Sequence, residues 1–384
     1  MNILLSFLQD QTTSPHQIPA YRFWSYYIKN GIKEARMSFS EVPDVDWAKG
    51  LTYDKNSSEL NLWMEYSWDK TIKFIISNKK TIDLFLCYLY PHQIDVTAIN
   101  TIKQLGIPCV NFYCDNVRHF KKVPKEFKVF DLIWVPEFEA MPMYGKEKVK
   151  SVNLPMPMWV APNLREPFIP EEKLSITFIG SKDILREQLF NEVINKGLDI
   201  QICGSGWLPD DVASSQVSTH LLSKILNQYN FTREHGLQEF YLKTRQNFRQ
   251  KKHTSINIKL IYPKPDFDTY VVLTQNSSIA LGVNRVPTYK RSHSNPLTYS
   301  RLRDIEAPML GACYLTEYCA GTDHLYDTQN EIITYRTSDE LVYKATELLA
   351  DNWKRGELRK KGQKKALYEH SIPVSLSKIK KIIF

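Results

Sequence analysis

The sequence lacks the features that would place it in a membrane, outside the cell or on nucleic acid. No apolar run approaches the roughly 20 residues that a membrane-spanning helix needs. The first residues, MNILLSFLQD, have no basic segment before an apolar one and reach Asp10 early, so they do not resemble a secretory signal. No nucleic-acid-binding motif accompanies the basic residues. We therefore expect a cytoplasmic protein that binds no nucleic acid.

Cysteine is scarce, and its spacing does not match a zinc site or a disulfide framework. The six cysteines lie singly, mostly in apolar runs, without CxxC pairs or Cys/His clusters. Cysteine in such runs is usually a buried thiol in a reducing compartment. We expect buried thiols and no bound metal.

The remaining composition is that of a folded globular protein. Of 384 residues, 43% are hydrophobic and 12% aromatic, which is enough for two domains with their own cores. The formal net charge of +8 is spread over small basic clusters and a C-terminal KIKKIIF. Such clusters are mostly solvated, although a basic tail with apolar residues could also rest on an anionic membrane surface.

The N-terminal half alternates β-rich runs with amphipathic stretches, which is typical of a parallel sheet wound with helices. The pattern predicts a helix over residues 20–30 that is ended by Gly31. Two further helices are expected at 60–78 and 94–104, and strands are expected at 3–7, 83–90, 108–114, 132–135 and 149–154.

The same alternation restarts after a segment with five prolines between residues 155 and 170. We predict a fold of the α/β class with two Rossmann-like domains facing each other across a cleft. The expected divisions are a domain at 1–158, a linker at 159–172, a domain at 173–355 with an insertion at about 208–260, and a C-terminal helix and basic tail at 356–384 that could cross back to the first domain.

Candidate binding residues follow from a rule of open α/β sheets, in which ligands lie outside the carboxyl ends of the strands. Small residues there let backbone N–H groups approach a phosphate, although Gly-Ser pairs are also ordinary turn residues. In the second half the rule selects Gly180, Ser181, Gly204, Ser205, Asn284 and Arg285, and then a loop with Lys290 and Arg291.

The stretch YSRLRDIEAPMLGACYLTE, residues 299–317, places Glu306 inside an apolar helical stripe that includes Leu302 and Met309. A carboxylate in such a position needs a hydrogen-bonding partner. Arg303, one turn earlier, is one candidate, and the hydroxyl groups of a ligand are another.

Two arginines precede Glu306 in the predicted first turns of this helix, where the helix dipole disfavours cations. They could lie on a solvated face, because an exposed charge contributes little. Alternatively, a diphosphate bound there would offset the unfavourable position. We therefore consider Ser300, Arg301, Arg303 and Glu306 to be donor-binding candidates.

Asp115 and His92 each follow a predicted strand in the first half and should face one crevice. Either residue could act as the general base for an acceptor hydroxyl. Both could instead be structural, since Asp-Asn pairs cap helices and turns. The Ser/Thr-rich residues 11–14, after the first strand, could also contact a substrate.

The run from Tyr299 to Leu341 resembles the CgeB-like (spore maturation protein-like) glycosyltransferases of the GT-B fold. The resemblance extends to the segments ITFIGS, DIQICGSGW, SSIALGVN, LGIPCVNFYCDNVRHF and FDLIWVPE. The resemblance implies a nucleoside-diphosphate-sugar donor in the C-terminal domain, an acceptor in the N-terminal domain and neither a metal nor another cofactor. Glu306 matches the second glutamate of the paired-glutamate motif, the one expected at the donor ribose. The first falls at Thr298, which leaves retention and inversion of configuration both open.

We therefore expect sugar transfer to a glycan, lipid-linked or protein acceptor. A nucleotide-sugar epimerase of the GT-B fold and a non-catalytic two-domain binding protein are the alternatives. A metal-dependent GT-A enzyme would need a DxD site. The triplets DVD at 44–46 and DFD at 266–268 have that spelling, but neither follows a convincing strand.

Overall fold

The computed structural model describes residues 1–7, 21–165, 173–208, 256–288, 291 and 295–384. Residues 11–14, Lys290 and residues 209–255 of the predicted insertion lie outside these ranges. Within them, no helix is both long and apolar enough to cross a membrane. The chain divides into two compact units. Unit 1 comprises Met1–Ala161, Ser300–Glu306 and Lys365–Phe384, and unit 2 comprises Pro162–Tyr299 and Ala307–Lys364.

Among the described residues, unit 1 contains a six-stranded parallel sheet in the order β2-β1-β3-β4-β5-β6. All residues of its central strands β3, β4 and β5 are buried, as expected when a parallel sheet is covered on both faces. The elements are β1 (Asn2–Ser6), α1 (Tyr21–Glu34), β2 (Ser38–Ser40), α2 (Ser58–Asn78), β3 (Leu84–Cys87), α3 (Val96–Gln104), β4 (Cys109–Phe112), α4 (Asn116–His119), β5 (Leu132–Val135), α5 (Met141–Lys146) and β6 (Ser151–Asn153).

The described part of unit 2 has a second six-stranded parallel sheet, in the order β14-β13-β10-β7-β8-β9, and a short antiparallel pair, β11 with β12. The elements that follow along the chain are β7 (Lys173–Ile179), α6 (Ile184–Asn195), β8 (Gln201–Cys203), β9 (Ile261–Tyr262), α7 (Phe267–Asn276), β10 (Ser277–Gly282), β11 (Arg285–Val286), β12 (Leu297–Thr298), α8 (Arg303–Met309), β13 (Tyr314–Glu317), α9 (Thr322–Leu325), β14 (Ile333–Tyr335), α10 (Ser338–Ala350), α11 (Asn352–Glu369) and α12 (Ile372–Ile383). Of these, α12, the start of α8 and the end of α11 belong to unit 1.

The strand orders give each sheet a switch point. In unit 1 the chain turns back between β1 and β3, and in unit 2 it turns back between β7 and β10. Ligands of open α/β sheets bind at the carboxyl ends of strands beside such a point. The core of unit 2 packs Phe178 of β7 against Phe190 of α6, with Trp207, Ile279 and Leu315 in the same cluster. The predicted α/β class with parallel sheets is confirmed.

The prediction that Gly31 ends the first helix is wrong, because α1 continues to Glu34. Gly31 instead gives room to α12: a Cβ atom at this position would lie 2.4 Å from Cγ2 of Ile372. The C-terminal basic segment contains the helix α12, whose Ile372, Leu376 and Ile379 are fully buried, and α12 packs against α1 within unit 1.

Candidate active site

The carboxyl ends of three neighbouring strands in unit 1 carry polar side chains. His92 lies in the 3-10 turn Pro91–Gln93 after β3, Asp115 follows β4, and Glu137 follows β5. Because these strands are parallel neighbours, their carboxyl ends form one edge of the sheet. The two predicted catalytic residues therefore lie at one edge. Glu137 was not predicted, although an acid directly after strand 132–135 was a visible signal.

Asp115 has an unusual backbone conformation. Its φ of 63° and ψ of 24° lie in the left-handed region, which non-glycine residues seldom adopt and which costs about 1–3 kcal/mol. Asp115 precedes the short helix α4, but its side chain makes no capping hydrogen bond. The helix-cap interpretation of this residue therefore does not account for its side chain.

Asn116, the next residue, is held by a buried carboxylate. Glu137 accepts a hydrogen bond from the Asn116 backbone N–H at 2.9 Å and another from Nδ2 at 2.7 Å. Tyr144 donates its hydroxyl to Oδ1 of Asn116 at 2.7 Å. Burial raises the pKa of Glu137 to about 7, against the hydrogen bonds from Asn116, and the charge of Asp115 raises it further.

His92 is neutral at pH 7. Burial lowers the pKa of its imidazole to about 4, and the positive charge of Lys55 adds to this effect. Its ring lies beside Tyr90, with 6.0 Å between the ring centroids, and Tyr90 in turn contacts Tyr113 at 5.2 Å. An imidazole with this pKa is available to accept a proton but is a weak base.

Glu306 is 6% exposed, and Tyr27 of α1 donates its hydroxyl to Oε1 of Glu306 at 2.9 Å. This contact lies within unit 1, because the segment Ser300–Glu306 belongs to that unit. Tyr27 carries no motif, so only the fold identifies it as a partner for a residue 279 positions away. The Tyr27 hydroxyl is a neutral donor to this carboxylate, and a sugar hydroxyl can donate a hydrogen bond of the same kind.

The two arginines differ in their position relative to α8. The helix begins at Arg303, so Arg301 precedes it instead of lying in its first turn as predicted. Asp304 accepts a hydrogen bond from the Arg301 backbone N–H at 2.8 Å, and Ser300 is buried.

The positive charge of Arg301 acts on the end of β4. Burial raises the pKa of the Cys114 thiol well above its usual value, and the charges of Asp115 and Glu137 raise it further, whereas Arg301 lowers it. Cys114 directly precedes Asp115 in the chain. The structure therefore brings Arg301, predicted to bind the donor, to the strand end that carries Asp115, a predicted catalytic residue.

In unit 2 the two Gly-Ser turns touch each other. The Gly180 N–H donates to Cys203 O at 2.8 Å, and the Lys182 N–H donates to Ser205 O at 2.9 Å. A Cβ atom on Gly204, whose φ is 145°, would lie 2.2 Å from the Gly180 carbonyl oxygen. This contact requires glycine in the turn after β8. The close approach of the turns thus explains Gly204 whether or not a phosphate binds.

Asn284 and Arg285 follow β10 and are bound to Glu317, the last residue of β13. Glu317 accepts the backbone N–H groups of both residues at 3.1 and 2.9 Å, and it accepts the Arg285 Nε–H at 2.8 Å. Glu317 was not predicted, although an acid at the end of the apolar run that forms β13 was a visible signal. A cavity of about 420 Å³ is lined by Arg285, Thr298, Glu317, Tyr318, Arg336 and Ser338, among others.

The acidic triplets have structural roles. Asp46 accepts hydrogen bonds from the N–H groups of Ala48 and Lys49, and Asp266 caps α7 through the Thr269 N–H at 2.8 Å. In the part of the chain that the structure describes, no cluster of three or more His, Cys, Asp or Glu side chains could hold a metal ion.

Comparison with known proteins gives one family match and several full-length structural matches. Residues 262–379 match the family described as glycosyl transferase-like. A glycosyltransferase from Rickettsia africae is 12% identical, with a TM-score of 0.58, and 100% of this chain and 97% of that chain are covered. HepE from Anabaena, solved with UDP and glucose, is 11% identical, with a TM-score of 0.55 and coverage of 99% and 98%.

A third match is the sucrose-phosphate synthase from Thermosynechococcus elongatus, which is 12% identical with a TM-score of 0.54 and coverage of 99% and 98%. No curated protein sequence matches the chain significantly. The full-length matches confirm the predicted GT-B fold. The chain therefore has the GT-B fold, and its residues 262–379 are glycosyl transferase-like.

Proposed function

We propose that this protein is a glycosyltransferase that moves a sugar from a nucleoside-diphosphate sugar to a glycan, lipid-linked or protein acceptor, without a metal ion, and that it is a CgeB-like enzyme. One observation carries the proposal: buried Glu306 and the nearby Arg301 belong to the same unit as the strand end with Asp115. The UDP and glucose in the HepE structure support a donor of this class.

The donor would be bound through its ribose and its diphosphate. Glu306 accepts hydrogen bonds from the ribose hydroxyl groups, as it accepts one from Tyr27. The guanidinium groups of Arg301 and Arg303 pair with phosphate oxygens, with Ser300 as a further donor. They stabilise the departing diphosphate, where negative charge grows in the transition state.

Unit 2 supplies further donor-binding candidates. The turns with Gly180-Ser181 and Gly204-Ser205 lie at the carboxyl ends of β7 and β8, beside the switch point. Arg285, held by Glu317 and preceded by Asn284, lines the cavity of about 420 Å³, which is within the ~300–1,000 Å³ range of small-molecule pockets. We propose that these groups bind parts of the donor other than its ribose.

Asp115 acts as the general base in an inverting reaction. It accepts the proton of the acceptor hydroxyl while the new glycosidic bond forms and the bond to the diphosphate breaks. His92 is the second candidate for the base, because its pKa of about 4 leaves it neutral and able to accept a proton at pH 7.

The peripheral membrane contact that we propose is with anionic lipid. It uses the exposed end of α12, where Lys378, Lys380 and Lys381 are exposed beside Phe384.

The experiment measures release of nucleoside diphosphate from a panel of donors, with and without acceptors. We expect that release of the nucleoside diphosphate depends on the acceptor, and that anionic vesicles stimulate this release when the acceptor is lipid-linked.

In Asp115→Asn, turnover should fall by about 100-fold or more while donor binding is retained. Asp69→Asn, an exposed residue of α2, is the matched control.

The alternatives give different outcomes in the same assay. An epimerase would convert the donor without an acceptor, and a non-catalytic protein would bind the donor without consuming it. If Asp115→Asn kept its turnover, Asp115 would not be the base and a retaining mechanism would be favoured.

A further inference from the structure

The peptide bond between Asp115 and Asn116 is fixed by a side chain from the next strand. Glu137 is fully buried, and one of its oxygens accepts the Asn116 backbone N–H while the other accepts Nδ2. Nδ2 also donates to the Tyr113 carbonyl oxygen at 2.8 Å, and Tyr144 donates to Oδ1. Asn116 itself is fully buried. Every polar group of this side chain therefore has a partner with a fixed position.

This network acts directly on the conformation of Asp115. The Asn116 N–H belongs to the peptide group whose orientation is set by ψ of Asp115, so a carboxylate that holds this N–H holds Asp115 as well. The left-handed conformation of Asp115 is unfavourable for a non-glycine residue and persists only where its surroundings enforce it. Charge-assisted hydrogen bonds to a buried carboxylate are among the strongest available to do so.

We propose that Glu137 is a positioning residue for the transfer reaction, which holds Asp115 in its left-handed conformation through Asn116 and releases it when its carboxylate is protonated. The inference rests on the proposed role of Asp115 as the base. Glu137 does not touch the substrate in this account, since it is fully buried and both of its oxygens face Asn116.

Protonation would weaken the network because each oxygen of Glu137 accepts a hydrogen bond from Asn116. The neutral acid has lost its negative charge, so these two hydrogen bonds are no longer charge-assisted. Rotating the Asn116 amide would not replace them, because it would turn Oδ1 toward the Tyr113 carbonyl oxygen. The neutral acid therefore holds Asn116 less strongly than the carboxylate does.

The surroundings of Glu137 put this change within reach of physiological pH. Its pKa is raised to about 7, first by burial and then by the charge of Asp115, against the hydrogen bonds from Asn116. Among the described residues, Cys114 and Tyr144 are ionisable groups that also interact with Glu137, and burial raises the pKa of both, so they stay neutral there.

The kinetic test uses Glu137→Gln and Tyr144→Phe. Glutamine keeps the shape of Glu137 but replaces one acceptor oxygen with a donor that faces Asn116, and phenylalanine removes one bond to Oδ1. In Glu137→Gln, kcat should fall roughly tenfold or more, since a charged hydrogen bond is lost, with an unchanged KM for the donor. The acid limb of the kcat–pH profile near pH 7 should also disappear.

The Tyr144→Phe variant should show a smaller fall in kcat with the same unchanged KM. It carries the test if Glu137→Gln fails to fold, because it keeps the buried carboxylate. Glu147→Gln, whose partner is Lys128, is the matched control and should behave as the wild type. Wild-type kcat and pH profile in both Glu137→Gln and Tyr144→Phe would overturn the proposal.

A second readout does not depend on activity. With ¹⁵N-labelled asparagine, the Asn116 amide signal should titrate with a midpoint near pH 7 in the wild type and should not titrate in Glu137→Gln. An Asn116 signal that is constant between pH 5 and 9 would refute the inference. If the wild type turned over no donor while this titration was seen, the proposed function would fail and the link from Glu137 to Asn116 would stand.

Discussion

At the scale of single residues, three side chains at one sheet edge differ in their pKa, their burial and their backbone conformation. Burial keeps His92 neutral and weakly basic, with a pKa of about 4. The pKa of Glu137, about 7, suits a general base, but its burial and its bonds to Asn116 keep it from the substrate. Asp115 is partly exposed and combines a carboxylate with a strained backbone, which is typical of functional positions.

The neutral state of His92 predicts a pH dependence of stability. An unfolded histidine titrates at about 6.5, whereas the pKa of His92 in the folded protein is about 4. Between these values the unfolded chain binds more protons, so this residue lowers the free energy of unfolding as the pH falls from 6.5 toward 4. His92→Asn should therefore lose less stability than the wild type between pH 7.5 and 5 in urea denaturation.

His324→Asn, a change at an exposed histidine of α9, is the control and should follow the wild type. Parallel pH dependence in the wild type and His92→Asn would show that His92 is not held neutral by the fold.

The site residues divide into those that the sequence revealed and those that it did not. Glu306 was recognisable because it breaks an apolar pattern, Asp115 because it follows a strand, and Arg301 because the helix dipole disfavours a cation at its predicted position. The partners of these residues and of Asn284 were missed, because partners such as Tyr27 and Glu317 are far away in the chain and only the fold brings them near.

At the scale of elements, caps and apolar patterns in the sequence predicted the helices and strands whose formation depends on their own residues. Helix α6 is determined by such signals, because Asp183 caps it by accepting the N–H groups of Leu185 and Arg186 and an apolar stripe follows. The strands of the first half were found but were predicted slightly too long at one or both ends, except β5. Short strands such as β2 and β9 were missed, since two or three residues carry no periodic signal.

The end of α1 and the buried face of α12 were not visible in the sequence for one physical reason. A glycine usually suggests a helix end, but Gly31 lies inside α1 because Ile372 occupies the space where its side chain would be. The tail was interpreted by its lysines, whereas the isoleucines between them form the buried face of α12. Both features depend on a contact between residues more than 300 positions apart, which no local pattern contains.

This contact predicts opposite effects for two glycine substitutions in helices. Alanine favours a helix over glycine by about 0.5–1 kcal/mol. Gly31→Ala should nevertheless destabilise unit 1 by about 1–3 kcal/mol, because its Cβ overlaps Ile372 and displaces α12. Gly356→Ala in α11 meets no atom within 4 Å and should stabilise by about 0.5–1 kcal/mol. Urea denaturation measures both. A stabilising Gly31→Ala would mean that α12 does not pack closely on α1.

At the scale of the whole molecule, the chain has the GT-B fold with a parallel sheet in each unit. The carboxyl ends of strands carry many of the candidate residues, and this distribution was predictable because ligands of open α/β sheets lie at these ends. Binding of a sugar nucleotide to this molecule is the central claim. It has a direct consequence for stability, since a ligand that binds only the folded state raises the free energy of unfolding.

The most direct test compares the wild type, Glu306→Gln and Glu65→Gln, an exposed control in α2, in thermal unfolding with UDP, GDP, dTDP and CMP and their sugars. For the wild type and the control, one nucleotide at 100 times its dissociation constant should add about 2.7 kcal/mol of stability. Loss of a charged hydrogen bond, about 1.5–3 kcal/mol, should reduce this gain in Glu306→Gln to about 1.4 kcal/mol or less at the same concentration. No stabilisation of the wild type by any nucleotide, or an equal gain in Glu306→Gln, would contradict the claim that Glu306 binds the donor.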